Sequence, residues 1–138
     1  MADSVRKVQY CHTRIPNRAG QGARVLAELR DSGVDLVAFT GFPAGKGEAQ
    51  LDFVTSDVPA LKRVARQAGW RLSDTKRGFL VQGQDRLGAV QRHLAKLAER
   101  RIGLVAVDAV AAGKGRYGMI LWVKPKDYTR AARALRAR

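Results

Sequence analysis

The chain has 138 residues, of which 46% are hydrophobic and 28% charged, and its formal net charge is +14 at pH 7. This composition is typical of a globular protein and excludes a disordered chain, and no apolar run approaches the ~20 residues of a membrane-spanning helix. The first residues show no signal-peptide pattern and the single cysteine, Cys11, permits no internal disulfide, so we expect a cytoplasmic protein with no membrane partner.

The first half of the chain alternates strand and helix patterns. β-Forming residues dominate the start, and Val25, Leu26 and Leu29 then recur at helical spacing. The second helix has an N-cap signal at Asp57 and a stop at Gly69. In chain order the patterns predict a strand at 5–13, a helix at 21–32, strands at 34–42 and 49–53, a helix at 57–69 and a short strand at 70–72.

The second half repeats the first at an offset of 112 − 44 = 68 residues, because Ala44-Gly45-Lys46-Gly47 returns as Ala112-Gly113-Lys114-Gly115. At the same offset, the segment Asp85-Arg86-Leu87-Gly88 corresponds to Asn17-Arg18-Ala19-Gly20. Such agreement indicates a duplication, so each half is one structural unit. The second set of elements is a strand at 79–82, a helix at 89–100, strands at 102–110 and 117–124, and a helix at 128–136.

The predicted order, βαββαβ, is that of a ferredoxin-like α+β fold with an antiparallel sheet. We expect two such domains, at residues 4–73 and 77–138. The chain stops at Arg138, where the counterpart of the strand at 70–72 would begin. The second domain is therefore predicted to lack its last strand, and we expect its open sheet edge to be covered by another segment or another chain.

The predicted sheets are apolar on both faces. Both helices of a βαββαβ unit lie on one face, yet Ile120 and Trp122 fall on the opposite face, and Val37 with Phe39 follows the same pattern in the first half. An apolar face of this kind marks an interface. We expect domain packing, a homodimer, or both.

The loops between the first strand and first helix of each half, Asn17-Arg18-Ala19-Gly20 and Asp85-Arg86-Leu87-Gly88, carry a family resemblance. With the glycine-punctuated hairpins and the repeat, they make nearly the whole chain resemble a tandem ACT-domain protein. That resemblance implies a regulatory, non-catalytic protein that pairs with a like domain and binds an amino acid or similar metabolite. It would signal occupancy to a regulated protein partner through assembly and would need no cofactor.

The same resemblance makes these two loops the candidate ligand sites. A glycine before a helix lets the backbone approach a ligand, and the helix N-terminus attracts a carboxylate. Asn17 or Asp85 could cap the helix or hold an ammonium group, and because only Asp85 is charged the two loops need not bind alike. The alternative is a capped turn with no ligand. The candidate residues are Asn17, Arg18, Ala19, Gly20, Gln21, Asp85, Arg86, Leu87, Gly88 and Ala89.

The charge is uneven and keeps a nucleic-acid alternative open. Residues 1–72 hold 11 basic and 7 acidic residues, giving +4, whereas residues 73–138 hold 15 and 5, giving +10. RNA-recognition domains share the βαββαβ order, and Lys114-Gly115-Arg116-Tyr117-Gly118-Met119 comes near their aromatic motif. The inserted Arg116 and the non-aromatic Met119 depart from it, and a solvated basic surface is the favoured explanation of the charge.

No catalytic or metal-binding motif is present in the sequence. His12 and His93 do not correspond at the repeat offset, no CxxC or HExxH spacing occurs, and the 12 carboxylates form no evident acid–base pair. We expect His93 to be a surface or boundary residue and Cys11 to be a small strand residue. No catalytic residue is assigned.

Overall fold

The structure is a computed structural model that describes residues 3–138; Met1 and Ala2, at the start where the sequence shows no signal-peptide pattern, lie outside them. The order strand–helix–strand–strand–helix occurs twice, and the α+β class is confirmed. None of the helices in the described part of the chain is long and apolar enough to cross a membrane. The elements are β1 Ser4–Pro16, α1 Gln21–Asp31, β2 Ala38–Pro43, β3 Glu48–Thr55, α2 Val58–Ala68, β4 Lys76–Gln84, α3 Ala89–Glu99, β5 Leu104–Gly113, β6 Arg116–Val123 and α4 Tyr128–Leu135.

Residues Gln9–Lys76 form one compact unit. In this unit β3 lies between β2 and the later part of β1, antiparallel to both. Phe53 of β3 is paired with Cys11 and with Phe39, and its side chain is completely buried. The buried residues that α1 and α2 contribute to the same core are Val25, Leu29, Val58, Ala60, Leu61 and Val64.

The ends of α2 match the sequence prediction. The Asp57 side chain accepts a hydrogen bond of 3.1 Å from the Ala60 amide, and Gly69 ends the helix with a φ of 79°. The segment after it differs from the prediction, because residues 70–72 are not a regular strand. This segment still runs beside β1: the Thr13 hydroxyl donates to the Arg71 carbonyl at 2.9 Å.

Residues 3–8 and Arg77–Arg138 form the other compact unit. Here β6 lies between β4 and β5, antiparallel to both, and the first residues of β1 lie beside β4. Apolar side chains from the strands, from α3 and from α4 form its core. The most buried of them are Phe79, Val81, Leu97, Met119, Leu121, Ala131 and Leu135.

The edge of β4 where the second half lacks a last strand is covered by another segment of the chain, as expected, because the start of the chain lies along β4. Val5 belongs to the core of this unit. Its carbonyl accepts a hydrogen bond of 3.0 Å from the Arg138 amide, and the Lys7 amide donates to the Arg138 carbonyl at 2.8 Å. Residues 4–8, which the sequence placed in the first domain, therefore pack in the unit of the second half. Local patterns cannot predict this, because the pairing joins opposite ends of the chain.

The four residues predicted at an interface have unequal surroundings. Ile120 and Trp122 are only 6% and 5% exposed within a single chain, so they are not available to a second copy. Phe39 is paired with Phe53 and their ring centroids are 5.9 Å apart, so Phe39 lies on the helix-covered face rather than the opposite one. Val37 and Phe39 are 41% and 39% exposed, and their contact with a second copy stays a prediction.

Val5→Thr tests the placement of the N-terminal residues. The substitution keeps the side-chain shape but buries a hydroxyl, so we expect the free energy of unfolding to fall by about 1–2 kcal/mol in urea titrations. Arg6→Thr, at the exposed neighbouring position, is the control and should change stability by less than about 0.5 kcal/mol. Equal effects of the two variants would contradict the packing of Val5 in this core.

Candidate functional site

The loop before α3 is a tight turn whose shape depends on Gly88. This residue has a φ of 79°, a conformation that favours glycine, although a Cβ added there would meet no atom within 4 Å. The Asp85 amide donates to the Gly115 carbonyl at 2.8 Å, and the Ala89 amide donates to the Arg86 carbonyl at 3.1 Å. The loop is thus fixed by its backbone to the turn between β5 and β6.

The corresponding loop of the first half has the same backbone hydrogen bonds. The Asn17 amide donates to Gly47 at 2.9 Å, the Gln21 amide to Arg18 at 3.2 Å, and Gly20 has a φ of 87°. Each of these residues differs from its counterpart by the repeat offset of 68. Neither Asn17 nor Asp85 caps its helix, contrary to one of the expected roles, because the N-cap position is taken by a left-handed glycine.

A cavity of about 660 Å³ is lined by all five candidate residues of the second loop. Its charged lining residues are Asp85 and Arg86, and the first turn of α3, which has no side-chain cap, also lines it. Its remaining wall is mostly apolar, and Leu87 is fully exposed to solvent. The other lining residues are Val90, Gln91, Ala109, Val110, Ala111 and Tyr117.

Tyr117 connects the wall of this cavity to a buried carboxylate that the sequence did not indicate. The Tyr117 hydroxyl donates to Asp3 Oδ2 at 2.5 Å. The same oxygen accepts from Arg92 at 2.9 Å and lies 2.7 Å from His93 Nε2. The side chains of Asp3 and His93 are each only 3% exposed. Asp3 is 90 residues from His93 along the chain, so no local pattern predicts the cluster.

The ionisation of this cluster follows from its hydrogen bonds. Burial alone would raise the pKa of Asp3, but the hydrogen bonds from Tyr117, His93 and Arg92 outweigh burial and hold this pKa below its ordinary value. Burial and the hydrogen bond to Asp3 both raise the pKa of Tyr117. Asp3 is therefore a carboxylate and Tyr117 a neutral donor at neutral pH.

The hydrogen bonds of Asp3 overturn the expectation for His93 and weaken the RNA alternative, which needs an accessible Tyr117. His93, expected at the surface or its boundary, is buried because Asp3 supplies a hydrogen-bond partner. Tyr117 is only 4% exposed and its hydroxyl donates to Asp3, so its ring is not available to stack on a base as the RNA alternative requires.

Cys11 and the possible metal ligands offer no second site. Cys11 is completely buried in β1, and burial raises the pKa of its thiol. Over residues 3–138, the structure groups no three His, Cys, Asp or Glu side chains that could hold a metal ion.

Comparison with known proteins reveals similarity at the level of structure. No family model matches the sequence, and no curated protein matches it. Protein BT0572 from Bacteroides thetaiotaomicron superposes with a TM-score of 0.76 at 13% identity, over 97% of this chain and 88% of that one. The fold is shared along nearly the whole length.

Regulatory subunits of aspartate kinase have the same fold. The ligand-free subunit from Thermus thermophilus superposes with a TM-score of 0.63 at 17% identity, over 99% of this chain and 95% of that one. The subunit from Thermus flavus gives a TM-score of 0.59 at 18% identity, over 98% and 94% of the two chains. These two neighbours are regulatory subunits, and what this chain shares with them is the fold.

Asp3→Asn tests the buried cluster. The variant loses the charged acceptor of the hydrogen bonds from Arg92 and Tyr117, so we expect the free energy of unfolding at neutral pH to fall by about 2 kcal/mol. Because folding lowers the pKa of Asp3, its contribution is present above the ordinary pKa of 3.8 and is lost as the pH falls through the lower folded-state value. Urea titrations should therefore show a difference between wild type and variant that shrinks in acid.

Asp31→Asn is the matched control for this measurement. Asp31 is an exposed carboxylate that pairs only with its neighbour Arg30, and such exposed pairs contribute little. The control should leave both the stability and its pH dependence close to those of wild type. A difference between wild type and Asp3→Asn that persisted unchanged in acid would contradict the role given to the Asp3 charge.

Proposed function

We propose that this protein is a small regulatory protein that binds an amino acid or a similar metabolite at the loop Asp85–Ala89. The observation that carries the proposal is the cavity, because every residue of the loop chosen from the sequence lines it. The shared fold with aspartate kinase regulatory subunits supports a regulatory role but does not name the ligand.

The polar groups of the cavity suit the two charged ends of an amino acid. The first-turn amides of a helix lack intrahelical acceptors, and Val90 and Gln91, which contribute two of them, line the cavity at the start of α3. These amides and Arg86 would bind the carboxylate of the ligand. Asp85 would bind its ammonium group, and this side chain is free for that role because it does not cap the helix.

The remaining wall favours an apolar side chain on the ligand. Ala109, Val110 and Ala111 of β5 line the cavity together with Leu87, and they offer no charged group. An aliphatic substituent would bury its surface against them at about 25 cal/mol per Å². The corresponding loop Asn17–Gln21 has the same turn but an uncharged amide in place of Asp85, so we propose that it binds more weakly or takes a different ligand.

The protein is proposed to act as a homodimer through the edge of β5. Among the described strands β5 has a neighbour on one side only, and Leu104, Val105 and Val110 are 36%, 60% and 67% exposed. Its ten residues include a single charged one, Asp108, although exposed edges are normally protected by charge or proline. Because β5 also lines the cavity, a second copy would lie close to the ligand and would sense its presence.

The binding proposal is tested by Gly88→Val, with Gly20→Val as its counterpart in the first loop. Both glycines have a left-handed φ and open space around them, so the two substitutions impose the same kind of strain. We expect wild type to bind one or a few of the common amino acids in isothermal titration calorimetry. Gly88→Val should weaken that binding at least about tenfold, and Gly20→Val by less than about twofold.

The same titrations contain the outcomes that would contradict the proposal. Binding that was lost in Gly20→Val and retained in Gly88→Val would place the ligand at the other loop. Failure of wild type to bind any amino acid would remove the amino-acid assignment. Circular dichroism of both variants distinguishes loss of binding from loss of folding.

Val110→Lys tests the proposed dimer edge. A lysine in the middle of β5 would place a charge in the apolar contact, so we expect sedimentation velocity to show a monomer where wild type is a dimer. Val37→Lys, at an exposed position near β2, is the control and should leave the dimer intact. Dissociation by Val37→Lys alone would instead favour the interface that the sequence predicted there.

A further inference from the structure

A second cavity, of about 580 Å³, lies within the unit of residues 3–8 and 77–138 and has a different chemistry from the first. Four of its lining residues are basic: Arg92, Lys96, Arg136 and Arg138. The rest of the wall is formed by Asp3, Ser4, Val5, His93 and Leu135. Nothing in the proposed amino-acid site uses these basic side chains.

Asp3, the one acidic residue among those that line this cavity, does not neutralise the four cations. Asp3 is engaged by Arg92, His93 and Tyr117 through one oxygen, Oδ2. Within residues 3–138, Lys96 and Arg136 form no ion pair with any carboxylate. The cavity therefore holds an excess of positive charge in a concave wall, where charges of one sign reinforce each other.

One of these cations, Arg136, has a backbone conformation that is unfavourable for arginine. Arg136 ends α4 in the left-handed conformation with a φ of 55°, a position that usually takes glycine. The Arg136 and Ala137 amides donate to the Arg133 and Ala132 carbonyls, so they satisfy part of the negative end of the helix. These hydrogen bonds use the backbone only, so the Arg136 guanidinium can bind an anion.

We propose that this cavity binds a small phosphorylated compound through its phosphate group. A multiply charged oxyanion matches the excess of cations, and guanidinium groups bind phosphate oxygens in pairs. The volume is sufficient for a small molecule, and the cations line a cavity rather than a flat strip. The proposal does not depend on the amino-acid site.

The glycine preference of position 136 provides a test that separates binding from folding. Arg136→Gly removes a lining cation and relieves a left-handed arginine, so the fold is not weakened by strain. Arg101→Gly is the matched control: Arg101 also has a φ of 55°, also follows a helix, and does not line the cavity. The two variants carry the same net charge. Lys96→Gln removes a second lining cation without touching the backbone.

Isothermal titration of the full chain with pyrophosphate, in about 150 mM NaCl to screen diffuse charge, measures the binding. We expect saturable binding of one pyrophosphate per chain, weakened at least about fivefold by Arg136→Gly and by Lys96→Gln and less than about twofold by Arg101→Gly. Equal weakening by Arg136→Gly and Arg101→Gly would mean that only net charge matters and would overturn the site, as would the absence of saturation in wild type. Short single-stranded RNA that competed with pyrophosphate and bound Arg136→Gly unchanged would also overturn it.

Discussion

The buried carboxylate of Asp3 is the contact on which the second half of the molecule depends. It joins the start of the chain to α3 through Arg92 and His93 and to β6 through Tyr117. Its position requires glycine at residue 83, because any Cβ there would overlap the carboxylate. Since Tyr117 lines one cavity and Asp3, Arg92 and His93 line the other, the same hydrogen bonds form part of the walls of both.

The internal repeat explains how much of the fold could be predicted from the sequence. Glycine positions and helical periodicity depend only on residues close together in the sequence, so they correctly predicted the order of the elements and the position of the two loops. The backbone hydrogen bonds of these loops correspond at the offset of 68. The partner of a strand edge is not local. The sequence therefore did not identify the segment that covers the edge of β4, placed Phe39 on the face opposite the helices, and put His93 near the surface. Each of these was decided by a distant residue: Val5, Phe53 and Asp3 respectively.

Only part of the candidate site could be predicted from the sequence. The loop Asp85–Ala89 was chosen from sequence and resemblance, and the cavity around it is a property of the folded chain. The contribution of Ala109–Ala111 of β5 to the same wall could not be predicted, because small apolar residues on a strand carry no functional signal. The basic cavity was equally hidden, since its cations come from α3 and from the end of α4 and were visible in the sequence only as net charge.

Nuclear magnetic resonance can show residue by residue whether a small amino acid binds beside the loop before α3. Backbone amide spectra of the isotope-labelled protein would be recorded while a mixture of the common amino acids is added, and then each amino acid alone. Binding at this loop predicts saturable shifts confined mainly to residues 85–91 and 109–111, produced by one or a few of the amino acids. Unchanged spectra, or shifts that cluster elsewhere and leave these residues unaffected, would contradict it.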